Sequence, residues 1–421
     1  MKVLWISNIP FGPLCKLADQ DASNSGGWLD AAFAALKDST GLELIVTTVC
    51  GVKKIKKEKI GNHVFYVLPG GVPSVYDSSS LKNKKVWEQI RAECKPDLIQ
   101  IWGTEFSHGF LALQVMKDIP SVIYMQGLIG QIARYYLSGL SEKDLIQSIT
   151  LRDILKIDWI KRQKSDFYKR SKVEAKMIQM AGNVIVENDW CSSHCKSIAT
   201  NCKIYKSKLN IKADFYKFDW TVDKMQSYTI MCNACGYPIK GLHMLLKALS
   251  IVVKEYPETK LLIPGGTSPF DKTLFEKLKI NGYTKYIIKT IEKLRLKNNI
   301  RFLGRLNSIA MAGQMSIANV FVMPSSIENH SSTLIEAMVV GTPCISSYVG
   351  GIPEYLIHNE NGLLYRFEEH EILASHILKI FRDTAFATQI SSNGKIAMRN
   401  TRNVNNIKDE ILEIYHKVLN Q

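Results

Sequence analysis

The sequence predicts an α/β protein made of two doubly wound, Rossmann-like domains. Its 421 residues exceed the roughly 100–200 residues of an average domain. Short apolar runs alternate with stretches of helical periodicity, and this alternation begins again after about residue 222. Alternating strands and helices form parallel sheets covered on both faces. Two such series therefore indicate two domains, with the expected ligand site in the cleft between them.

The first series predicts an N-terminal domain over residues 1–222. Its apolar runs are continuous rather than alternating, which is typical of buried parallel strands. Apolar residues between Trp28 and Leu36 recur at helical spacing, and a longer helical stretch covers about residues 142–180. The predicted strands lie at residues 3–6, 44–49, 64–68, 98–102, 122–124 and 184–186.

The second series predicts a C-terminal domain over residues 223–402. Leucine and valine residues between Leu242 and Val253 mark an amphipathic helix after its first strand. Residues 403–421 form a terminal helix, for which a return to the N-terminal domain is one possibility. The predicted strands lie at residues 229–232, 260–263, 300–303, 320–323 and 344–346.

The composition is that of a soluble globular chain with a basic excess. The 54 Lys and Arg residues outnumber the 39 Asp and Glu residues, which gives a net charge of +15. This excess predicts an anionic partner: nucleic acid, a phospholipid surface or phosphorylated small molecules. No recognised nucleic-acid-binding motif supports the first of these. Because no apolar run reaches the roughly 18–20 residues of a membrane helix, a cytoplasmic protein with reduced thiols is expected.

The most informative stretch follows the strand at residues 320–323. Glu328 lies in a loop, eight residues before Glu336 in the first turn of a helix that starts near Ser332 or Thr333. Loop N–H groups and a helix N-terminus favour an anion, whereas carboxylates accept hydrogen bonds from hydroxyl groups. A nucleotide sugar, with phosphates between two hydroxyl-rich groups, would satisfy both.

The Glu-x7-Glu spacing, followed by Ala-Met and a Gly-x-Pro turn, resembles the retaining glycosyltransferases of family 4, which have the GT-B fold. This resemblance covers most of residues 229–366. It predicts two Rossmann-like domains that face an interdomain cleft. Further segments carry it in the expected order: Lys240-Gly241, residues 302–304, residues 349–354 and residues 361–364.

The resemblance implies roles for particular side chains. Glu336 would bind the ribose, Glu328 the transferred sugar and Lys240 the diphosphate, as a point charge on a flexible stem. The implied mechanism has no protein nucleophile, metal or other cofactor. The remaining donor-binding residues would be Asn329, His330, Ser331, Ser332 and Thr333 in the loop and helix start, and Gly26 and Gly27 in a glycine loop of the N-terminal domain.

Three positions depart from the family pattern. Cys235 stands where members usually have an arginine that binds the diphosphate, and Arg305 is a candidate substitute. Gln126 stands where many members place a histidine near the sugar, and it can hydrogen-bond a hydroxyl but cannot carry a proton at neutral pH. Asn329 replaces a glycine after the loop glutamate.

Each feature also has a simpler interpretation. Thr333 and Glu336 fit a capping box, Lys240 could be a solvated surface lysine, and Gly26-Gly27 could be only a turn. Cys232 and Cys235 have zinc-like spacing, and Cys191, His194, Cys195 and Cys202 cluster along the chain, but structural zinc needs four ligands. Ordinary thiols are the favoured interpretation.

A basic stretch at residues 152–176 contains nine Lys or Arg residues and four Asp or Glu residues, with aromatic residues between them. It predicts either a solvated amphipathic helix or docking on anionic lipid at the inner face of a membrane. Lipid docking would suit an enzyme with a lipid-linked acceptor.

The expected function is a retaining, metal-independent hexosyl transfer from a nucleotide sugar to a hydroxyl of a glycan acceptor, in cell-surface polysaccharide assembly. The alternatives are a polyanion- or lipid-surface-binding protein on an inactive GT-B scaffold and a GT-B sugar-nucleotide epimerase. An epimerase needs a general base in the sugar pocket, and the sequence does not locate one.

Overall fold

A computed structural model describes residues 1–20, 27–70, 81–233, 236–402 and 404–421. The chain divides into two compact units. The first unit contains residues 1–130, 166–212 and 402–421, and the second contains residues 131–165 and 213–401. Each unit is an α/β domain built on a parallel sheet.

The strands and helices follow one another in the alternating order predicted for most of the chain. The strands are β1 (Lys2–Ser7), β2 (Glu43–Cys50), β3 (Lys56–Ile60), β4 (His63–Pro69), β5 (Leu98–Trp102), β6 (Ser121–Tyr124), β7 (Asn183–Val186), β8 (Lys203–Lys206), β9 (Gln226–Cys232), β10 (Lys260–Pro264), β11 (Ile300–Gly304), β12 (Ala318–Met323), β13 (Cys344–Ser347) and β14 (Leu363–Tyr365). The helices are α1 (Pro13–Leu17), α2 (Gly27–Leu36), α3 (Leu81–Cys94), α4 (His108–Val115), α5 (Ile129–Tyr135), α6 (Glu142–Ser148), α7 (Leu151–Lys156), α8 (Ile160–Ala181), α9 (Asp189–Ile198), α10 (Leu242–Glu255), α11 (Leu274–Lys277), α12 (Gly282–Lys293), α13 (Ser308–Ile317), α14 (Ser332–Val340), α15 (His370–Arg382), α16 (Thr384–Thr401) and α17 (Val404–Leu419).

The sheet of the first unit has the strand order β3-β4-β2-β1-β5-β6-β7-β8. Strand β3 runs antiparallel to β4, and the other neighbours are parallel. Alternate residues of a strand point to opposite faces. Leu4 and Ile6 accordingly enter one apolar layer, whereas Val3 and Trp5 enter the other. The sheet is therefore covered on both faces, as a doubly wound domain requires.

The sheet of the second unit is parallel, with the order β11-β10-β9-β12-β13-β14. Strand β12 is buried along its whole length, and β9 is buried at its carboxyl end. Helix α10 buries its predicted apolar face, including Leu245 and Leu249. Successive strands are added outward from β9 on one side of this sheet and outward from β12 on the other. Ligands of open α/β sheets bind at such a switch point in strand order.

The contact pattern differs from the predicted boundary at residue 222. The main part of the second unit starts at residue 213, and residues 131–165 belong to the second unit instead of the first. His243 on α10 donates from Nε2 to the Ser138 carbonyl at 2.8 Å. Lys285 on α12 donates from Nζ to the Ile149 carbonyl at 2.7 Å. These long-range polar contacts hold the segment on the second unit, and no local sequence pattern announces them.

The single helical stretch predicted at about residues 142–180 is wrong. Ser141 and Thr150 each form a capping box, with Asp144 and Asp153 respectively, and so start α6 and α7. Ile157 ends α7 in the left-handed conformation, at φ 52°. Helix α8 begins three residues later.

The C-terminal residues 402–421 belong to the first unit. Trp5 Nε1 donates to the Tyr415 hydroxyl at 2.9 Å, and that hydroxyl donates to Gln100. Arg402 forms an ion pair with Glu187 at 2.8 Å, and both side chains are buried. Helix α17 is thus fixed by polar contacts in addition to its apolar face.

Candidate functional site

A lysine and a glutamate meet at the carboxyl ends of two neighbouring strands of the second unit. Lys240 ends a short 3-10 turn after β9, and Glu328 lies in the loop after β12. The Lys240 Nζ atom lies 2.6 Å from Glu328 Oε1, and Ser325 Oγ donates to the same oxygen at 2.8 Å. The Glu328 side chain is 12% exposed and that of Lys240 is 36% exposed. The pair is therefore sheltered but accessible to a ligand.

Two glycines allow the backbone to pass close to this loop. Gly241 has φ 70°, and a Cβ atom on it would lie 1.7 Å from the Pro324 carbonyl oxygen. Gly350 has φ 53°, and a Cβ atom there would lie 1.7 Å from the Glu328 carbonyl oxygen. No other residue type fits either position without moving the backbone. The Lys-Gly and Gly-Gly patterns of the sequence thus have a steric reason: they fix both ends of the Glu328 loop.

Helix α14 begins at Ser332, as predicted, and its N-terminus adjoins the Glu328 loop. The Ser331 hydroxyl caps the helix by accepting from the Leu334 N–H at 3.3 Å. The alternative capping box of Thr333 and Glu336 is therefore wrong, since Glu336 is the fifth residue of the helix. The Thr333 hydroxyl instead accepts from the Asn233 side chain at 3.1 Å. Asn233 directly follows β9 and was not singled out from the sequence.

The loop and helix start combine buried and accessible polar residues. Asn329 and Ser331 are buried, whereas His330, Ser332, Thr333 and Glu336 are half-buried. The Ser331 N–H donates to the Tyr355 hydroxyl at 3.4 Å. One loop and one helix thus place these predicted donor-binding residues beside the Lys240–Glu328 pair.

The remaining predicted residues lie elsewhere. Arg305 is exposed directly after β11, two strands from β9 in the sheet. Gln126 follows β6 and is half-buried in the first unit. Gly27 is the first residue of α2, and a Cβ atom on it would lie 2.9 Å from Lys212 Cε. Gly26 and Cys235 lie outside the described residues.

The described cysteines that suggested zinc are core residues. Cys191, Cys195, Cys202 and Cys232 are all buried, and burial raises the pKa of the Cys202 thiol. Within the described residues, no group of three or more His, Cys, Asp and Glu side chains is placed to hold a metal ion. The same part of the chain contains no helix long and apolar enough to cross a bilayer.

A polar cluster in the first unit was missed in the sequence. The Asn8 side chain, after β1, donates to the carboxylate of Glu105, after β5. Arg170 Nη1 donates to the Glu105 carbonyl at 3.4 Å. Burial raises the pKa of Glu105 to about 7, and the nearby Glu174 carboxylate contributes to this rise. Gly103, at φ 85°, leaves room for the carboxylate, because a Cβ atom there would lie 2.1 Å from Glu105 Oε2.

The positions of Asn8 and Glu105 in the chain could have revealed this cluster from the sequence. Asn8 and Glu105 come shortly after two predicted strands that are neighbours in the sheet. Residues at the carboxyl ends of parallel strands are the usual ligand contacts of doubly wound domains. The burial that raises the pKa of Glu105 depends on tertiary structure and could not be inferred from the sequence.

The two parallel-sheet, Rossmann-like domains define the GT-B class of glycosyltransferase folds, as the resemblance implied. Residues 212–397 match the sequence profile of the family described as Glycosyl transferases group 1. The matched part of the chain includes Lys240, Glu328 and Glu336.

Relatives and solved structures extend the likeness to the whole chain. The alpha-monoglucosyldiacylglycerol synthase of Acholeplasma laidlawii is 23% identical over 396 residues, covering 85% of this chain and 90% of that protein. Two other curated relatives, at 26% and 21% identity, align over only 41% and 55% of their own lengths, so the chain spans about half of each.

Solved structures share the fold at low sequence identity. Sucrose-phosphate synthase from Thermosynechococcus elongatus has a TM-score of 0.74 at 20% identity, covering 99% of this chain and 98% of that chain. HepE from Anabaena, solved with UDP and glucose, has a TM-score of 0.68 at 16% identity, covering 99% of both chains.

Proposed function

We propose that this protein is a retaining glycosyltransferase that moves a hexosyl group from a nucleotide sugar to a hydroxyl group of a glycan acceptor. The observation that carries the proposal is the Lys240–Glu328 pair beside the N-terminus of α14. A cation, a carboxylate and a helix N-terminus suit a diphosphate with a sugar attached. The family match of residues 212–397 supports the same activity.

Lys240 supplies the charge that the leaving group requires. In the structure its ammonium group is paired with Glu328. A donor diphosphate would draw Lys240 away from this pair, because a phosphate accepts charge-assisted hydrogen bonds. The ammonium would then stabilise the negative charge that grows on the diphosphate as the glycosidic bond breaks. Lysine and backbone N–H groups supply the positive field, so the proposed reaction needs no metal.

Glu328 and Glu336 serve the hydroxyl groups of the donor. Glu328 adjoins the lysine and would accept hydrogen bonds from the transferred sugar once the ion pair opens. Glu336, one turn into α14, would accept from the ribose. The acceptor hydroxyl would attack from the face that the leaving group occupies, with a donor phosphate oxygen taking its proton. This sequence retains the anomeric configuration and needs no protein nucleophile.

The comparisons support the choice of ligands. HepE was solved in complex with UDP and glucose and also with UDP-glucose, which supports a nucleotide-sugar donor. The name of the Acholeplasma laidlawii relative specifies a glycolipid product, which supports a lipid-linked acceptor. A role in cell-surface polysaccharide assembly at the inner face of the membrane is consistent with both.

Two further assignments belong to this proposal. Arg305, exposed at the carboxyl end of β11, is the candidate to replace the diphosphate contact missing at Cys235. The roles of Gln126, Gly26 and Gly27 in the first unit as donor contacts stay predictions from the sequence. The polar cluster around Glu105 lies at the carboxyl edge of the sheet in that unit and is the candidate acceptor contact.

The test is titration calorimetry of nucleotides in the presence of EDTA. Glu336→Ala should weaken binding of the cognate nucleotide by roughly 10- to 100-fold, through the loss of charge-assisted hydrogen bonds worth about 1–3 kcal/mol. Glu360→Ala, an exposed glutamate of the same unit, is the matched control and should change nothing. Unchanged affinity in folded Glu336→Ala protein would refute the ribose contact. If no nucleotide binds the wild type, the alternative of an inactive scaffold is favoured.

Retention is tested separately by proton NMR of the product. The transferred sugar should show the same anomeric configuration as in the donor from its first appearance. An inverted anomer contradicts the mechanism, and an epimerised free donor identifies the alternative epimerase.

A further inference from the structure

Helix α7 is inverted relative to an ordinary amphipathic helix. Its buried residue is an acid: the Asp153 side chain is 0% exposed. Its apolar residues face outward: Leu155 is 75% exposed, and Leu151 and Ile154 are each 58% exposed. A surface helix normally buries its apolar stripe and exposes its charges. The apolar side chains of α7 are therefore held in water against the hydrophobic effect.

The exposed apolar residues continue on both sides of α7. Ile146 on α6 is 65% exposed, and Ile157 after α7 is 59% exposed. We call these five side chains, Ile146, Leu151, Ile154, Leu155 and Ile157, the apolar ridge. They fall within twelve residues, whereas scattered single apolar residues are the rule on protein surfaces.

A polar framework holds the ridge outward. Asp153 binds Arg152 at 3.0 Å and completes the capping box with Thr150. The Thr150 hydroxyl donates to the Ile280 carbonyl at 3.1 Å. Gly282 lets the start of α12 approach Asp153, because a Cβ atom there would lie 2.8 Å from the Asp153 carboxylate. These contacts fix which face of α7 is buried, so the exposure of the ridge is built into the fold.

A second apolar pair lies close along the contacting segment. Phe275 on α11 is 66% exposed, and Leu278 is 59% exposed. Leu278 precedes Ile280 and Gly282, the residues that touch α7, by only a few positions. The ridge and this pair thus lie on two segments that contact each other.

The charges around the ridge select its partner. Lys143 and Lys156 are exposed along the ridge segment, and Lys277 and Lys279 are exposed beside Phe275. Exposed Lys161 forms an ion pair with Glu142. The half-buried Arg152 forms ion pairs with two of the acidic residues in this segment, Asp153 and Asp158. Protein interfaces favour aromatic residues and arginine and are depleted of lysine. Aliphatic side chains bordered by lysines instead suit a bilayer with anionic headgroups.

We propose that the apolar ridge inserts into an anionic lipid surface, with the flanking lysines on the headgroups. This inference rests on the proposed function, because transfer to a lipid-linked acceptor takes place at a bilayer. The proposal also places the lipid contact at residues 146–157, whereas the sequence predicted it at residues 152–176. In the basic stretch that follows, Trp159 and Phe167 are half-buried and Ile160 is buried, so Tyr168 alone of these four is exposed.

Vesicle co-sedimentation of the full chain tests the proposal. Vesicles of phosphatidylcholine with phosphatidylglycerol should bind the wild type, and pure phosphatidylcholine should bind it far less. The double variant Ile154→Gln with Leu155→Gln should lower the partition coefficient by about 10-fold or more, from the loss of buried apolar area. The control is Ile309→Gln with Ile396→Gln, because both isoleucines are 54% exposed on α13 and α16 of the same unit. The control should bind vesicles like the wild type.

Three results would overturn the proposal: no vesicle binding by the wild type, binding that ignores anionic lipid, or equal binding by the ridge variant. Self-association of the wild type that the ridge variant abolishes, seen by sedimentation velocity, would assign the ridge to a second copy and also overturn it. Nucleotide titration of the same samples separates this test from the proposed function. Retained nucleotide binding without vesicle binding rejects the ridge alone, and vesicle binding without nucleotide binding rejects the transferase alone.

A probe at the ridge distinguishes insertion from surface adsorption. The described cysteines are all buried, so Leu155→Cys in a Cys235→Ser background provides a site for bimane labelling. Anionic vesicles should shift its emission to the blue, and a label at Ile309→Cys should not shift. Equal shifts at both sites, or none at Leu155→Cys, contradict insertion.

Discussion

Lys240 and Glu328 form an ion pair in the structure. In the proposed mechanism they bind the donor only after this ion pair opens. The lysine is partly exposed, so the ion pair contributes little to stability. Its placement depends on Gly241, whose left-handed backbone brings the lysine turn against the Glu328 loop. A side chain that contributes little to folding but is held this closely is expected to act on a ligand.

Removing the Lys240 charge should therefore lower activity without unfolding the protein. Lys240→Met is expected to reduce kcat by about 100- to 1,000-fold, the effect of losing one preorganised charge-stabilising group. Steady-state kinetics with the cognate donor measure this. Lys254→Met, an exposed lysine on the neighbouring α10, is the control and should retain wild-type turnover. Equal turnover in Lys240→Met and the control would remove Lys240 from the mechanism.

Glu105 should make stability depend on pH. Its folded pKa of about 7 lies above the ordinary value of 4.5, because burial disfavours the charged form. The folded state therefore binds the proton more tightly than the unfolded state, and Glu105 lowers stability as pH rises from about 4.5 to about 7. Glu105→Gln keeps an acceptor for Asn8 and removes the charge. Its Tm relative to wild type should rise between pH 5 and pH 8.

The control for this prediction is Glu88→Gln, an exposed glutamate on α3 of the same unit. Its Tm difference from wild type should be independent of pH. A Glu105→Gln difference that is equally flat would show that Glu105 is ionised normally in the folded protein.

At the scale of elements, α14 carries predicted donor-binding residues, among them Thr333 and Glu336. Ser331 caps it, and a cap lost to alanine costs about 1 kcal/mol. Ser331→Ala should lower the free energy of unfolding by about that amount, measured by urea denaturation. Thr333→Ala, inside the first turn, should cost less. The reverse order would restore the Thr333 capping box that the sequence suggested.

Which elements could be predicted follows from their burial. Strands β1, β5 and β12 are buried on both faces and read as continuous apolar runs. Strand β3 was missed because its sequence, Lys-Lys-Glu-Lys-Ile, belongs to an exposed antiparallel edge strand. Helix α7 was read as part of one long helix because its capping box was overlooked. Its inverted orientation follows from Asp153 contacts with the distant Gly282, which no local pattern reveals.

The site was predictable to a similar extent. Glu328, Glu336 and Lys240 belong to motifs with fixed spacing, so the sequence could single them out as candidates. The Glu105 cluster has no motif, and its chemistry arises only when β1 and β5 become neighbours. Asn233 was missed because a lone asparagine after a strand is an ordinary loop residue.

At the scale of the whole molecule, the chain leaves the first unit for the second time at residue 213 and returns to it at residue 402. The return is anchored by the buried ion pair of Arg402 and Glu187, and Arg402 also donates to the Leu209 carbonyl at 2.8 Å. A buried pair is costly to break from one side, because the remaining charge loses its partner. This pair therefore fixes the C-terminal helix to the first unit.

Glu187→Ala should destabilise the protein by about 3–5 kcal/mol, since it leaves the Arg402 charge buried without its carboxylate. Asp189→Ala removes the partner of Lys206 in an exposed pair nearby and should cost less than about 1 kcal/mol. Denaturant unfolding followed by fluorescence measures both. Similar small losses in the two variants would mean that Arg402 finds another partner.

Lys240 is proposed to recognise the diphosphate of a nucleotide donor. The most direct measurement is the ratio of Kd values for the cognate nucleoside monophosphate and diphosphate, in EDTA, for wild type and Lys240→Met. The wild type should prefer the diphosphate by about 10- to 100-fold, as a charged hydrogen bond provides, and the variant should lose most of this preference. An equal preference for the diphosphate in both proteins would contradict this role of Lys240.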